Sequence, residues 1–283
     1  MKGLAVGFLH PGEMGISLAV SAQASGHTAY WASNGRSKRT RERAERFNLE
    51  DAGTLTQLCR ICSVIVSVCP PHAAEEVAAD VLSCSYTGLY LDANAISPQR
   101  SRRISDRMEG SGVRFVDGGI IGGPAWEKGK TRLYLSGPEA NRAAACFSSG
   151  ALEAVVIGDS IGKASALKMC FAANTKGTTA LLCAIVALAE SLGVRSELHD
   201  VWSQGGSDFA EQTEARVRRV TRKAWRFTGE MGEIADTFES AGLPGEFHKA
   251  AGAIYQRIAH FKEADEIPNL ELVLEFLLSG ENA

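Results

Sequence analysis

A chain of 283 residues is long enough for two domains of ordinary size, each with a hydrophobic core of its own. Hydrophobic residues make up 45% of it and charged residues 22%, which is typical of a soluble globular protein. The formal net charge of −3 gives no sign of nucleic acid or an anionic membrane as a partner. The first apolar run is too short for a signal peptide, and we find no later stretch long enough without charges to span a membrane. We therefore expect a cytoplasmic protein without a membrane span.

Strand-like and helix-like segments alternate along the first half of the chain. Short apolar runs predict strands at residues 3–9, 28–32, 64–68, 88–92, 113–117 and 131–135. Helical patterns lie between several of them, at 14–25, 37–47, from 97 onward and at 138–148. This alternation, with continuously apolar strands, predicts an α/β domain whose doubly wound, mostly parallel sheet is covered on both faces.

The second half of the chain predicts helices alone. Between Ile161 and Leu192 there is no proline and there are only two glycines, which predicts one helix of about 30 residues, or 45 Å at the usual rise. Further helical patterns follow at 196–204, 208–221, 231–241 and 245–261. We predict a first domain over 1–160 and an all-α second domain over 161–283, joined by the long helix.

The seven cysteines do not form a recognisable site. Their number is odd, and most of them lie in apolar segments, so we expect buried, reduced thiols. Cys59 and Cys62 have the C-x-x-C spacing, but there is no second ligand pair and no thioredoxin-like context. We predict no metal site.

A glycine turn follows the first predicted strand. Residues 7–15 read G-F-L-H-P-G-E-M-G, so Gly12 and Gly15 occupy the second and third positions of a G-x-G-x-x-G pattern, and His10 occupies the first. A dinucleotide fold needs glycines here because the backbone must turn sharply and approach the pyrophosphate, which the helix amides of Glu13 and Met14 then face. We predict a Rossmann-type cofactor domain. The alternative is a tight strand–helix turn that binds nothing.

The end of the second strand indicates which cofactor is bound. An NAD-specific fold places an acid there to hold the ribose hydroxyls, and residues 31–39 contain none. Arg36 and Arg39, with Ser33 and Ser37, are suited to a 2′-phosphate, because arginine binds phosphate through two hydrogen bonds and the hydroxyls add donors. We predict NADP rather than NAD. The alternative is a solvated, basic start to the next helix.

These segments together resemble the β-hydroxyacid dehydrogenase superfamily, which includes 6-phosphogluconate and 3-hydroxyisobutyrate dehydrogenases and is related to imine reductases. The resemblance lies in the glycine turn, the strand-end prolines and three later segments, at residues 7–15, 68–71, 92–98, 117–124 and 158–168. In the second half, residues 168–170, 175–177 and 229–235 look like a phosphogluconate-dehydrogenase-like branch of this group.

The resemblance implies a catalytic role for Lys168, which matches the lysine that serves as general acid/base in the hydroxyacid members. A hydride moved to a carbonyl carbon requires a proton at the oxygen, and an amine can supply it if burial or nearby positive charge lowers its pKa. A lysine that snorkels to solvent is the alternative. The resemblance also implies a small-molecule substrate, a homodimer formed through the helical domain, and cofactor contacts from Pro70 and Asn94.

Substrate contacts are expected from Asn94, Ala95, Gly122, Gly123, Thr175 and Lys176, the last two because helical spacing brings them to or near the face of Lys168. Asn94 and Ala95 replace the Ser-Thr pair of the family, and Ile121 replaces a serine. Phe171 and Ala172 stand where its asparagine is expected, and Asn174 points away unless the helix is irregular. An imine reductase acting on a C=N substrate and a non-catalytic NADP-binding sensor are therefore alternatives.

Overall fold

The computed structural model describes residues 3–279 and divides into two compact units, Met1–Met169 and Cys170–Ala283. The predicted boundary between residues 160 and 161 falls just before a long helix, whereas the two units divide inside that helix. Its first turn packs against the sheet of the first unit, which explains the difference.

The first unit is built on one sheet of eight strands in the order β3-β2-β1-β4-β5-β6-β7-β8. All neighbouring strands are parallel except β6 and β7, which confirms the prediction of a mostly parallel sheet. The strands are β1 (Ala5–Phe8), β2 (Thr28–Trp31), β3 (Glu50–Asp51), β4 (Val64–Ser67), β5 (Leu89–Asp92), β6 (Arg114–Ile121), β7 (Thr131–Ser136) and β8 (Leu152–Gly158). The strand order reverses between β1 and β4, and in open α/β sheets ligands bind outside the carboxyl ends of the strands at such a point.

Six helices cover this sheet: α1 (Glu13–Ala24), α2 (Lys38–Arg46), α3 (Leu55–Ile61), α4 (Ala74–Ser83), α5 (Pro98–Gly110) and α6 (Ala140–Ala145). Two hydrophobic clusters form the core, one containing Leu18 of α1 and Ala143 of α6, and the other Leu58 of α3 and Ile104 of α5. The sheet therefore has helices on both faces, as predicted. The sequence reading missed β3, α3, α4 and β8; β3 has only two residues, both exposed, and so lacks an apolar signal.

The long helical run is continuous from Lys163 to Ser191, as α7 (Lys163–Ala172), a π-helical turn (Ala173–Gly177) and α8 (Thr178–Ser191). This agrees with the predicted long helix. By length and composition the run could cross a membrane, which we did not expect from the sequence. Half of its most apolar window is buried, and core helices of globular proteins meet the same criterion, so this is weak evidence for a span.

The second unit continues with α9 (Arg195–Trp202), α10 (Phe209–Ser240), α11 (Glu246–Arg257) and α12 (Leu270–Ser279). The two helices predicted at 208–221 and 231–241 are one helix of 32 residues, so that prediction is wrong. Gly229 and Gly232 lie inside α10, and the buried Met231, Ile234 and Ala235 hold this stretch in the helical core despite the low propensity of glycine. Among the described residues no strand lies beyond Gly158, in agreement with the predicted all-α domain.

Candidate cofactor-binding and catalytic site

The glycine turn leads from β1 into α1 at the carboxyl edge of the sheet. A Cβ built on Gly15 would lie 2.2 Å from the carbonyl oxygen of His10, so only glycine lets the helix approach the turn this closely. A Cβ built on Gly12 would meet nothing within 4 Å. Gly12 supplies no capping side chain to the first-turn amides of Glu13, Met14 and Gly15, and such uncapped helix amides are suited to a pyrophosphate.

His10 and Arg36 lie together beside this turn. The Arg36 guanidinium donates a hydrogen bond to the carbonyl oxygen of Leu9 at 3.1 Å. Burial, and secondly the charge of Arg36, lower the pKa of His10 to about 4, so this imidazole is neutral near pH 7. Burial also lowers the pKa of Arg36, which nevertheless stays charged. The buried Nδ1 of His10 and Nε of Arg36 have no hydrogen-bond partner. A partly desolvated cation beside orphaned polar atoms fits an anionic ligand group.

The other residues predicted to hold a 2′-phosphate follow β2. The amide of the buried Ser33 donates to Asp51 at 3.2 Å, and the hydroxyl of Ser37 caps α2 by accepting from the amide of Thr40 at 3.3 Å. Arg39 is exposed, 3.8 Å from the carboxylate of Glu13. These three residues and Arg36 lie on one loop and the first turn of α2, and their contacts with a cofactor stay a prediction.

Two arginines that the sequence reading did not single out support the same region. Arg41 donates to the carbonyl oxygen of Ser33 at 2.7 Å, and Arg43 donates to that of Pro11 at 3.3 Å. Arg43 lies one helical turn beyond Arg39, and this spacing could have indicated a shared face. The glycine turn is thus held by guanidinium groups at both Leu9 and Pro11.

An acid does lie at the end of β2, although it comes from β3. The Asp51 carboxylate accepts hydrogen bonds from the amides of Ser33 and Gly53, at 3.2 and 2.7 Å. Burial alone would raise the pKa of Asp51, but these hydrogen bonds and the charge of Arg41 lower it on balance. Asp51 therefore serves the loop backbone. The sequence does not indicate this role, because Asp51 lies on a strand of two exposed residues and not at the end of β2 itself.

Asn94 joins the ends of β4 and β5. Its side chain accepts a hydrogen bond from the amide of Cys69 at 2.6 Å and donates to the hydroxyl of Ser67 at 3.1 Å. Asn94 is buried, which places its amide beneath the loop of Pro70 rather than on the surface. The side chain fixes that loop at the cofactor edge, and its predicted contacts with cofactor and substrate stay a prediction, as does that of Pro70.

Lys168 lies on α7, against β6 and within the first unit. A Cβ built on Gly119 would come within 3.1 Å of the Lys168 Cβ and 2.7 Å of the Ala164 carbonyl oxygen. Gly119 is two residues beyond Asp117, which pairs with Asp92 at the carboxyl end of β5. The Cβ of the half-buried Lys168 therefore lies over Gly119, just beyond the level at which β5 ends, toward the edge of the sheet that also carries the glycine turn and Asn94.

The remaining predicted substrate residues of this unit follow the same edge. Ala95 is half-buried, and Gly122 and Gly123 are exposed after β6. Gly122 has a φ of +123°, and a Cβ there would lie 2.3 Å from the carbonyl oxygen of Lys130, so the backbone requires glycine. The carbonyl oxygen of Gly123 accepts a hydrogen bond from Thr131 at 2.7 Å.

A family model described as the NAD binding domain of 6-phosphogluconate dehydrogenase matches residues 5–158, just over half of the chain. The chain belongs to this family, within the β-hydroxyacid dehydrogenase superfamily. A second model, a domain of unknown function (DUF1932), matches residues 189–258.

Three relatives illustrate the neighbours of this superfamily member. An uncharacterised 28.5 kDa protein of Methanothermus fervidus is 29% identical over 184 residues, which cover 65% of this chain and 70% of that protein. The conserved protein MTH1747, of unknown function and described as structurally similar to 3-hydroxyacid dehydrogenases, is 26% identical with a TM-score of 0.67, covering 96% of this chain and 99% of that one. The 3-hydroxyisobutyrate dehydrogenase of Mycobacterium tuberculosis shares the fold with a TM-score of 0.70, at 18% identity over 98% of this chain and 99% of that one. Imine reductases are also among the structural neighbours.

The family match makes residues 5–158 a nicotinamide-dinucleotide-binding domain of the 6-phosphogluconate dehydrogenase type, and the 3-hydroxyisobutyrate dehydrogenase and the imine reductases share the fold of the chain. The open space above Gly12 and the orphaned atoms of His10 and Arg36 fit a nicotinamide dinucleotide at the glycine turn. The Rossmann-type fold and a nicotinamide cofactor, both predicted from the sequence, are confirmed, and the choice of NADP over NAD stays a prediction.

In the second unit, Thr175 and Lys176 lie in the π-helical turn. The Thr175 hydroxyl donates to the carbonyl oxygen of Phe171 at 3.1 Å. The Lys176 ammonium is bound to the Glu230 carboxylate in a buried ion pair and lies 4.7 Å from the centre of the Phe227 ring. The Tyr255 hydroxyl donates to the Lys176 carbonyl oxygen at 2.7 Å. The predicted substrate contacts of Thr175 and Lys176 stay predictions.

The C-x-x-C pair behaves as buried core. Burial raises the pKa of both Cys59 and Cys62 to about 12, so neither forms a thiolate at neutral pH. Neither forms a disulfide. Within residues 3–279 no group of three or more histidine, cysteine, aspartate or glutamate side chains is placed to hold a metal ion.

Proposed function

We propose that this protein is an NADP(H)-dependent oxidoreductase that transfers a hydride between the cofactor and a small hydroxy- or oxo-acid-like substrate, with Lys168 as general acid/base. The observation that carries the proposal is the shared edge of the sheet. The glycine turn follows β1 and is bound by Arg36 of the loop after β2, and the Lys168 Cβ lies over Gly119 beyond the end of β5. A phosphate cradle and a proton donor therefore lie toward the same edge of one sheet.

Each group at this edge has a defined task. The amides of Glu13, Met14 and Gly15 would hold the pyrophosphate at the start of α1. The cofactor supplies or accepts the hydride when bound. During reduction, the Lys168 ammonium gives a proton to the carbonyl oxygen of the substrate, and during oxidation the neutral amine removes that proton.

NADP is favoured over NAD by Arg36. Its charge is partly desolvated and its Nε has no partner, so a 2′-phosphate would satisfy both its charge and this donor. Asp51 is the feature that weighs toward NAD, but its Oδ1 accepts from two backbone amides. Its remaining charge is offset by Arg41.

An imine reductase is the second candidate. Ala95 and Ile121 replace hydroxyl residues that would grip a substrate carboxylate, and the imine reductases share the fold. Lys168 favours the oxo-acid chemistry, because the lysine position usually carries another residue in imine reductases. A sensor that binds NADPH without turnover is the third candidate.

A substrate panel separates these candidates. NADPH oxidation is measured with a series of 3-oxo acids and a series of cyclic imines, each repeated with NADH. We expect turnover with the oxo acids and a preference for NADPH. Turnover with imines alone supports the second candidate. Tight NADPH binding without turnover on either series supports the sensor.

The proposal includes a homodimer in the cytoplasm. The helical unit exposes Leu188, Leu192 and Val201, with 58%, 66% and 57% of their surfaces accessible, and large exposed apolar groups favour an interface. Seven free thiols favour a reducing compartment. Light scattering after size-exclusion chromatography tests the dimer, and a mass of 30.2 kDa would rule it out.

A further inference from the structure

The first turn of α7 is attached to the sheet by a buried carboxylate. Asp117 of β6 accepts hydrogen bonds from the amides of Gly162 and Ser165, each at 3.0 Å, and from the Ser165 hydroxyl. The hydroxyl of Ser136 on β7 accepts from the amide of Ala164 at 3.0 Å. Three amides at the start of the helix, which have no partners within it, are thus satisfied by side chains of the sheet.

Asp117 also has partners outside α7. The Ser101 hydroxyl of α5 donates to it at 2.9 Å and the Ser136 hydroxyl at 3.0 Å. With 1% of its surface accessible, Asp117 accepts five hydrogen bonds from three elements besides its own strand. Such a satisfied buried carboxylate fixes the groups around it rigidly.

The same strand makes room for the catalytic side chain. Two residues after Asp117, Gly119 lies beneath α7, where a Cβ would come within 2.7 Å of the Ala164 carbonyl oxygen and 3.1 Å of the Lys168 Cβ. Asp117 therefore sets the start of the helix, and Gly119 sets how closely its next turn approaches the sheet.

We infer that Asp117, through Ser165, and Gly119 are positioning residues that fix Lys168 for proton transfer. The inference rests on the proposed function of Lys168 and adds which groups hold it in place. Neither residue touches the substrate in this account; both act by holding α7 on β6. A displacement of about 1 Å at a catalytic group can lower a rate about 100-fold, so the attachment of this helix controls turnover.

Two serines provide a matched test, because each gives Asp117 one hydroxyl hydrogen bond and only one of them lies on α7. We expect Ser165→Ala to lower kcat at least about tenfold and to change its pH profile, with the KM for NADPH unchanged. Ser165→Thr retains the hydroxyl and should recover most of the activity. Ser101→Ala should lower the melting temperature to a similar extent but lower kcat by no more than about twofold.

Two adjacent glycines give a second test. Gly119→Ala places a methyl group against α7, whereas Gly118→Ala places one 2.9 Å from the carbonyl oxygen of Asp92 on β5. Both should destabilise the fold, and Gly119→Ala alone should change the pH profile of kcat. The inference would be overturned if Ser165→Ala changed kcat and its pH profile no more than Ser101→Ala does, and Gly119→Ala no more than Gly118→Ala does.

A measurement of turnover in Lys168→Ala under the same conditions distinguishes failure of the proposed function from failure of the inference. Turnover that survives in Lys168→Ala overturns the proposed function and the inference with it. Loss of turnover in Lys168→Ala, with Ser165→Ala indistinguishable from Ser101→Ala, overturns the inference alone.

Discussion

The Arg36 guanidinium donates a hydrogen bond to the carbonyl oxygen of Leu9 at 3.1 Å and so ties the loop after β2 to the glycine turn after β1. In the proposed function this side chain has two tasks, because it supports the glycine turn and would also offer its charge to a 2′-phosphate. The first task affects NADPH and NADH equally, and the second affects NADPH alone.

Replacing Arg36 by alanine should therefore raise the KM for NADPH far more than that for NADH. A hydrogen bond to a charged group contributes about 1.5–3 kcal/mol, so we expect a difference of about 10- to 100-fold between the two cofactors. Initial rates over both cofactor concentrations measure it. Arg60→Ala, which removes an exposed arginine on α3, is the control. Equal effects on both cofactors would remove the 2′-phosphate argument.

The two glycines of the turn should respond differently to alanine. At Gly12 a methyl group meets no protein atom within 4 Å, so Gly12→Ala should keep the wild-type melting temperature and lose cofactor affinity, because the methyl occupies the pyrophosphate space. At Gly15 the methyl group meets the His10 carbonyl oxygen at 2.2 Å, so Gly15→Ala should lower the free energy of unfolding by about 1–3 kcal/mol. Thermal melts and NADPH titration distinguish them. Wild-type affinity in Gly12→Ala would place the pyrophosphate elsewhere.

Asp92 should make stability depend on pH. Burial raises its pKa from 3.8 to about 7, and the neighbouring charge of Asp117 adds to the rise, although hydrogen bonds from Asn94 oppose it. Between these values the folded protein holds a proton on Asp92 that the unfolded chain has released, so the contribution of Asp92 to the free energy of unfolding falls as pH rises from about 4 to 7. The fall is at most about 1.4 kcal/mol per pH unit.

Denaturant unfolding at several pH values measures this dependence. Asp92→Asn should flatten the curve between pH 4 and 7, and Asp106→Asn, an exposed aspartate on α5, should not. An unchanged slope in Asp92→Asn would mean that this carboxyl is ionised throughout.

The features that the sequence predicted well are those encoded by neighbouring residues. The glycine turn was located because strand, glycines and helix follow one another within residues 5–24. The long helix was predicted because its whole length lacks proline. In contrast, the π-helical turn involves Tyr255, which lies 79 positions away in sequence from the Lys176 carbonyl that it binds. No local pattern records such a contact.

The site was predicted incompletely for the same reason. Asp117 binds Ser165, which is 48 positions away in the sequence, and Ser101 and Ser136 complete its hydrogen bonds from two other elements. Asp51 reaches the end of β2 from a strand of two exposed residues that has no apolar signal. Both depend on the packing of distant segments, whereas Lys168 was predicted from its match to the position of the family's lysine, and its role stays a prediction.

The most direct test of the account is turnover in Lys168→Ala. NADPH binding is titrated by fluorescence, and NADPH oxidation is then followed with the best substrate of the oxo-acid panel at saturating concentrations. We predict a dissociation constant for NADPH within about twofold of wild type, with kcat reduced about 100- to 10,000-fold, the usual contribution of a general acid. A Lys168→Ala protein that binds NADPH and retains the wild-type kcat would contradict the account.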